Sequence, residues 1–153
     1  MARPGWDEYY LGIARAVSAR ASCLRRQVGA VIVVDNAIIA TGYNGTPIGV
    51  KNCDEGGCPR CASEAPTGSG YDACICVHAE QNAIVFAARH GNATQHGVLY
   101  TTLRPCFGCA KEAIQAGIRR IVFAEPFAYA PELEEVYRRL IAESGVVLAG
   151  HGG

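Results

Sequence analysis

The sequence predicts an α/β fold built on a mixed sheet. Two features carry this prediction: an apolar hairpin in the first third of the chain, and strands that alternate with helices in the second half. A hairpin pairs its strands antiparallel, whereas alternation favours parallel strands with helices on the sheet faces. The length of 153 residues fits one domain, 1–153, with a Cys-rich insert at about 46–77 that we expect a metal to order.

Local patterns predict the first three elements. Apolar residues recur at helical spacing within 6–20, and Asp7 is placed to cap that helix. The apolar, β-branched run at 29–34 predicts a strand, because such side chains suit a pleated, buried surface. A turn pair at 35–36 joins it to a second apolar strand at 37–42.

The rest of the chain alternates helices with strands, and glycine or proline marks the helix ends. Pro105 stands at the start of one helix and Gly117 follows its end, and Gly145 follows the end of another helix. The expected elements are a helix at 78–90, a strand at 98–102, a helix at 106–116, a strand at 118–124, a helix at 131–144 and a strand at 146–148.

Composition excludes several classes of function. The formal net charge is zero and no polybasic block is present, so we do not expect binding to duplex nucleic acid. No stretch approaches the roughly 20 apolar residues of a membrane span, and the N-terminus lacks the apolar run of a signal peptide. We therefore expect a cytoplasmic protein with no membrane partner, whose eight cysteines are metal ligands rather than disulfides.

The most informative feature is a split metal-ligand pattern, His78-Ala79-Glu80 followed by Cys106 and Cys109. Zinc prefers four ligands in a tetrahedron, so one imidazole and two thiolates leave one position open for water, as in catalytic sites. Glu80 is the candidate to move protons on and off that water. This role requires a carboxyl pKa that burial has moved toward neutrality.

Both halves of the pattern stand at predicted helix starts. Cys106 and Cys109, spaced i, i+3, project from one side of a first turn, where the helix dipole favours thiolates. His78 and Glu80 would lie about 200° apart on an ideal helix. They can serve one site only if His78 lies where the chain enters the helix.

A structural zinc site is the main alternative interpretation of these residues. A CxxC pair with a distant histidine also occurs in closed zinc sites, and a helix-start carboxylate such as Glu80 can simply be solvated. Glu80 two positions after His78, and Pro105 before Cys106, favour the catalytic interpretation. H-x-E…P-C-x-x-C is the signature of zinc-dependent nucleobase deaminases.

Over about 6–148, the chain resembles the deoxycytidylate (dCMP) deaminases of the cytidine-deaminase-like superfamily. The segments that carry the resemblance are W-D-E-Y at 6–9, V-G-A-V-I-V at 28–33, G-Y-N-G-T-P at 42–47, H-A-E-Q-N-A-I at 78–84 and Y-T-T-L-R-P-C at 100–106. The resemblance implies a three-layer α/β/α sandwich with a mixed five-stranded sheet. It also implies hydrolysis of dCMP to dUMP and ammonia, in a homo-oligomer that is hexameric in many members, activated by dCTP with Mg²⁺ and inhibited by dTTP.

The resemblance also assigns residues. It implies that His78, Cys106 and Cys109 bind the catalytic zinc and that Glu80 is the proton shuttle. The implied substrate contacts are Asn44 on the deoxyribose, the Ala79 backbone and Thr102 in the base pocket, and Arg89 on a nucleotide phosphate or effector. Arg89 has an equally good alternative, since a cation is favoured at a helix C-terminus. The chain departs from some members at Phe127, where they have a tyrosine near the phosphate, with Tyr129 two residues on.

Six further cysteines form a pool for a second, structural zinc. They are Cys23, Cys53, Cys58, Cys61, Cys74 and Cys76. Six thiolates exceed one tetrahedron, so either two are free or two ions share bridging sulfurs. We expect one zinc bound by four of the six. The alternative is that the six are small buried hydrophobic side chains.

Two other functions compete with dCMP deamination. The same chemistry would also act on another cytosine nucleoside or nucleotide, or on another amidine-bearing heterocycle. A non-catalytic zinc-binding module would keep the metals without turnover, although the open ligand position and Glu80 argue against it.

Overall fold

The computed structural model describes residues 2–66, 69–70 and 73–151. The elements in chain order are α1 (Trp6–Ser18), β1 (Gly29–Val34), β2 (Ala37–Tyr43), a short 3-10 helix (Cys53–Glu55), α2 (Ala79–Arg89), β3 (Val98–Leu103), α3 (Phe107–Gln115), β4 (Arg120–Glu125), α4 (Pro131–Ser144) and β5 (Val147–Gly150). The predicted order of helices and strands is confirmed, and the differences lie at element ends. Within those described ranges, no helix is long and apolar enough to cross a membrane.

The five strands form one mixed sheet in the order β2-β1-β3-β4-β5. β1 pairs antiparallel with both β2 and β3, whereas β3, β4 and β5 pair in parallel. The hairpin turn consists of Asp35 and Asn36, whose φ angles are 50° and 62°. Two successive left-handed residues give the turn whose twist matches that of the strands. The mixed five-stranded sheet predicted from the sequence is therefore confirmed.

Helices cover both faces of the sheet. Tyr10 and Leu11 of α1 pack against Val31 and Tyr100 on one face. α2 and α3 pack on the opposite face through small side chains such as Ala83. Successive strand residues point to opposite faces, so the two apolar sets alternate along β1 and β3. The result is the expected three-layer α/β/α arrangement.

The expectation that Asp7 caps α1 is wrong. Gly5 occupies the N-cap position, and the Asp7 carboxylate accepts hydrogen bonds from Arg120 Nη1 and Nη2 at 2.8 and 2.6 Å. The Tyr100 hydroxyl donates a third, at 2.8 Å. The Arg120 hydrogen bond is the main reason that the pKa of Asp7 falls to about 2. Asp7 therefore ties α1 to the sheet instead of satisfying the helix end.

The two ends of the Cys-rich insert lie side by side. Gly45 and Val77 form an isolated antiparallel bridge, with N–H···O distances of 3.2 and 2.7 Å. The bridge fixes the chain immediately before His78, where α2 begins. The segments 67–68 and 71–72 of the insert lie outside the described residues.

Candidate active site

The structure brings together the three predicted ligands of the catalytic metal. His78 Nδ1 lies 3.4 Å from Cys106 Sγ and 3.4 Å from Cys109 Sγ, and all three ligand atoms lie within 4.8 Å of one another. Zn–S and Zn–N bonds of about 2.3 and 2.0–2.1 Å at tetrahedral angles separate nitrogen from sulfur by about 3.5 Å. The donor types and spacings therefore fit zinc, and the set leaves a fourth position available.

The local backbone explains how His78 and Glu80 can serve one site. His78 is the N-cap of α2, with extended backbone angles (φ −70°, ψ 155°), and Glu80 follows in the first turn. The predicted placement of His78 where the chain enters the helix is confirmed. Cys106 is likewise the N-cap of α3, and Cys109 lies in its first turn. Each half of the motif thus uses a helix start, where unpaired N–H groups favour anionic ligands.

Glu80 has the environment that a proton carrier needs. It is 5% exposed, and it lies close enough to Cys106 and His78 for their charges to act on its carboxyl group. Burial is the largest influence and raises the pKa of Glu80 to about 7. A group with that pKa can both accept and release a proton near neutral pH.

The two thiols of the site differ in how readily they lose a proton, because hydrogen bonding with Cys106 raises the pKa of Cys109. A hydrogen bond with Cys109 is the main cause that lowers the pKa of Cys106 to about 4, and contact with His78 adds to it. Thiolate is the form of cysteine that binds metal. Cys106 is therefore the anionic member of the set at neutral pH.

Gln81 connects the two helices that carry the ligands, and the sequence analysis missed it. Its Oε1 accepts a hydrogen bond from the His78 backbone N–H at 3.0 Å, and its Nε2 donates to Glu112 Oε1 in α3 at 3.1 Å. A glutamine three residues after an N-cap is half of a capping box. The spacing of three residues between His78 and Gln81 could have identified this role of Gln81 from the sequence.

A buried polar group holds the turn before Cys106. Arg104 is 7% exposed and forms two hydrogen bonds of 3.0 Å to the carboxylate of Glu134 in α4. Its guanidinium lies 4.0 Å from the centre of the Tyr137 ring, and the Tyr137 hydroxyl donates to the Pro105 carbonyl at 2.8 Å. These contacts join residues distant in sequence, so no local pattern could have predicted them.

Tyr129 also stabilises the turn that leads into α3. Its hydroxyl accepts a hydrogen bond of 2.7 Å from the backbone N–H of Phe107, the first residue of α3. Its ring lies 4.7 Å from that of Phe127, whose backbone carbonyl accepts from Arg104. The segment after β4, in which the sequence analysis looked for phosphate contacts, thus supports the start of α3.

The side chains of two predicted substrate residues, Asn44 and Thr102, form hydrogen bonds within the fold. Asn44 is buried; its Oδ1 accepts from the Val28 N–H at 2.8 Å and its Nδ2 donates to the Arg26 carbonyl at 2.6 Å. Thr102 Oγ1 accepts from the Gly29 N–H at 3.1 Å. Ala79 is the buried first residue of α2. An amide nitrogen carries two hydrogens, so Asn44 retains one donor for a ligand.

The structure does not bring Arg89 to this group. His78 stands at one end of α2 and Arg89 at the other, which places them about 16 Å apart along the helix axis. Arg89 is exposed and lies 5.9 Å from the centre of the Phe86 ring. The predicted contact of Arg89 with a nucleotide phosphate or effector stays a prediction.

The six remaining cysteines gather in a second cluster. All six are free thiols, and none is fully exposed. Cys23 comes from the connection between α1 and β1, whereas the other five belong to the Cys-rich insert. The cluster lies two residues from the catalytic motif, since Cys76 precedes His78 by two positions.

Most of the chain matches one known protein family. Residues 4–125 match the family described as the cytidine and deoxycytidylate deaminase zinc-binding region. The match includes His78, Glu80, Cys106 and Cys109. It therefore covers the whole metal-ligand pattern as well as four of the five strands.

Individual relatives agree with the family match. The chain is 46% identical over 123 residues to the deoxycytidylate deaminase of Schizosaccharomyces pombe, a stretch that is 79% of this chain and 37% of the relative. It is 44% identical over 128 residues to the deoxycytidylate deaminase of Mycobacterium phage D29, covering 80% of this chain and 97% of the relative. The chain thus spans well under half of the fission yeast relative and almost all of the phage relative.

A solved structure has the same fold. The dCMP deaminase of cyanophage S-TIM5, crystallised with dCMP and dUMP, superposes with a TM-score of 0.75 at 27% sequence identity. The alignment covers 99% of this chain and 100% of the phage protein. The structural similarity therefore includes α4 and β5, which lie beyond the segment that matches the family.

Proposed function

The chain belongs to the cytidine and deoxycytidylate deaminase family, and on that premise we propose that it hydrolyses dCMP to dUMP and ammonia. One observation carries the proposal: the ligand atoms of His78, Cys106 and Cys109 converge within 4.8 Å, with the buried carboxylate of Glu80 beside them. Three ligands and an adjacent proton carrier are what hydrolytic deamination requires.

The residues divide the chemistry between them. His78, Cys106 and Cys109 would hold zinc, which when bound acts as a Lewis acid that lowers the pKa of a coordinated water toward about 7. Glu80 accepts a proton from the attacking water and passes it to N3 of the cytosine ring. The oxygen bonds to C4, a second proton reaches the amino group through Glu80, and the C4–N4 bond breaks to release ammonia.

The reaction places a constraint on Glu80. It must take up and release a proton within each turnover, so neither form can be strongly favoured. Its burial and its raised pKa of about 7 meet this requirement. Exclusion of bulk water around the carboxylate also strengthens its hydrogen bonds to a bound ligand.

A substrate panel tests the proposal. Purified protein with bound zinc would be assayed for ammonia release from dCMP, deoxycytidine, CMP, dCTP and guanine. We expect kcat/KM to be highest for dCMP. Equal rates for deoxycytidine and dCMP would contradict recognition of the 5′-phosphate and favour a nucleoside deaminase, and no turnover on any member would favour a non-catalytic module.

We propose further that the protein assembles into a homo-oligomer that dCTP with Mg²⁺ activates and dTTP inhibits. Large apolar side chains on α2, Val85 and Phe86, are exposed in the single chain, and Arg89 beside them supplies a cation for a nucleotide phosphate. Sedimentation with and without each nucleotide, together with the dCMP assay, tests this. A protein that stays monomeric, and whose rate of dCMP deamination changes with neither dCTP nor dTTP, would contradict this proposal.

We also propose that the Cys-rich insert binds structural zinc, and that the protein works in the cytoplasm, where thiols stay reduced. The first proposal is supported by the grouping of the sulfur atoms, which lie within 4.8 Å of one another in each group of four. Six free cysteines in one cluster support the second.

A further inference from the structure

The six cysteines outside the active site form two overlapping groups of four. Cys23, Cys53, Cys61 and Cys76 make up the first, and Cys58, Cys61, Cys74 and Cys76 the second; in each, all sulfur atoms lie within 4.8 Å of one another. Cys61 and Cys76 belong to both groups. We propose that this cluster binds two zinc ions, with the thiolates of Cys61 and Cys76 bridging them.

The measured spacings suit a tetrahedral thiolate site. Four sulfurs at a Zn–S distance of about 2.3 Å are separated from one another by about 3.8 Å. Cys23 Sγ lies 3.7 Å from Cys61 Sγ in the first group, and Cys58 Sγ lies 3.8 Å from Cys74 Sγ in the second. A disulfide would need sulfurs at about 2.05 Å. Both groups therefore have the dimensions of a metal site.

A single ion would leave part of this geometry unexplained. If the first group held the ion, Cys58 and Cys74 would bind no metal, although they complete a second tetrahedron with the shared sulfurs. If the second group held it, Cys23 and Cys53 would be left in the same position. Cys53 and Cys58 are both 0% exposed, one in each group. Two bridged ions use all six sulfurs and leave none over.

Backbone N–H groups are aimed at the non-bridging sulfurs of both groups. Leu24 N–H points to Cys53 Sγ at an N···S distance of 3.4 Å, and the N–H groups of the two residues after it bond to Cys23 Sγ. In the second group, the N–H of Cys61 and that of the residue between Cys74 and Cys76 bond to Cys58 Sγ. Such donors orient and stabilise metal-bound thiolates. The three sulfurs that receive these N–H groups do not all belong to one group of four, since Cys58 lies outside the group of Cys23 and Cys53, and this supports an ion in each group.

The cluster has a structural consequence for the catalytic motif. The first group joins the insert to Cys23, which precedes β1, and Cys76 lies two residues before His78. The Gly45–Val77 bridge lies between Cys76 and His78. Cys76 bridges both ions, so the whole cluster fixes the chain that delivers His78 to the active site. The first group also joins the insert to the residues before β1.

Metal analysis of the full-length protein, purified with excess zinc and then desalted, tests the number of ions. We expect three zinc ions per chain, two in the cluster and one at His78, Cys106 and Cys109. The double variant Cys58→Ser/Cys74→Ser keeps the first group complete and should retain two. The matched control Cys106→Ser/Cys109→Ser, which empties the catalytic site, should also retain two. A total of two in the unaltered protein, or an iron content in place of zinc, would overturn the proposal.

The bridges themselves are tested by cadmium substitution, which needs no variant. In the ¹¹³Cd-loaded full chain we expect two resonances in the range of four-thiolate sites, with scalar coupling between them and with the β-protons of Cys61 and Cys76 coupled to both. A single such resonance, or two native thiols that react with a thiol reagent, would contradict it. These readouts do not depend on turnover, so failure of the dCMP assay and failure of the binuclear cluster are distinguishable.

Discussion

At the scale of single residues, partners decide whether a buried carboxyl carries protons or stays charged. Glu80 and Glu134 are both largely buried, but their pKa values move in opposite directions. Burial dominates at Glu80 and raises its pKa to about 7. Burial opposes ionisation at Glu134 too, but hydrogen bonds from Arg104 and Arg138 outweigh it and lower the pKa to about 2. Glu80 is thus suited to proton transfer and Glu134 to a fixed ion pair.

Replacing Glu80 with glutamine should abolish most turnover without removing the metal. Glutamine keeps the size of the side chain but cannot accept the proton from water. We expect kcat for dCMP to fall by about 10²–10⁴-fold, with zinc content and thermal stability close to those of the unaltered protein. Glu8→Gln, an exposed change in α1, is the control. Full activity of the zinc-loaded Glu80→Gln protein would exclude the proton-shuttle role.

Replacing Tyr137 with phenylalanine should destabilise the turn that presents Cys106. The change removes the hydroxyl that donates to the Pro105 carbonyl and leaves a buried acceptor unpaired. We expect a loss of about 1–3 kcal/mol in the free energy of unfolding, measured by urea denaturation with zinc bound. Tyr9→Phe, at an exposed position of α1, should change it by no more than about 0.5 kcal/mol. Equal effects of the two changes would argue against a support role for Tyr137.

At the scale of elements, close backbone contact places α2 against the sheet. A Cβ added at Gly42 of β2 would lie 2.3 Å from the Ala79 carbonyl oxygen and 2.5 Å from the Ala83 nitrogen. Both partners are backbone atoms and cannot rotate away. The glycine therefore lets the start of α2, and with it His78 and Glu80, lie directly over β2.

Gly42→Ala should push α2 from the sheet and displace the catalytic motif. We expect a loss of at least about 1–3 kcal/mol in the free energy of unfolding, as for other overpacked cores, together with a fall in kcat for dCMP. Gly12→Ala in α1 is the matched control, because a Cβ there meets nothing within 4 Å. It should be neutral or stabilising by up to about 1 kcal/mol. Unchanged stability of Gly42→Ala would show that the helix can shift at little cost.

At the scale of the whole molecule, two partly buried ion pairs join parts of the chain that are far apart in sequence. Asp7 in α1 binds Arg120 in β4, and Glu134 in α4 binds Arg104 in the turn after β3. The second pair is the more buried, at 7% and 13% exposure. Breaking such a pair leaves a buried charge without its partner, which costs more than the pair itself contributes.

The Glu134 pair should make stability depend on pH in the acid range. The pKa of Glu134 is lowered from 4.5 to about 2 by folding, so its contribution is complete above pH 4.5 and is lost as the pH falls toward about 2. Glu134→Gln should cost about 3–5 kcal/mol at neutral pH, and this difference should shrink as the pH falls. Urea denaturation of both proteins between neutral pH and about pH 3 measures it. The exposed change Glu135→Gln should show no such trend, and a difference for Glu134→Gln that is independent of pH would contradict the ion-pair assignment.

The sequence by itself determined the order of elements, the mixed sheet and the three residues whose ligand atoms converge on a candidate metal site. These follow from local causes: periodicity, turn pairs at 35–36, and ligand spacing at helix starts. His78 at an N-cap was required by the angle between it and Glu80, which a helix fixes without reference to the rest of the chain.

Only the tertiary structure decided what depends on contacts between distant segments. In the folded chain Asp7 forms an ion pair with Arg120 and does not cap α1. Arg89 lies at the end of α2 opposite to His78. The turn before Cys106 is supported by the contacts among Arg104, Glu134 and Tyr137. The tertiary structure also showed that six cysteines form two groups sharing Cys61 and Cys76. Spacing along the chain gives the number and type of ligands, but which sulfurs share a metal depends on how the insert folds back on the residues before β1.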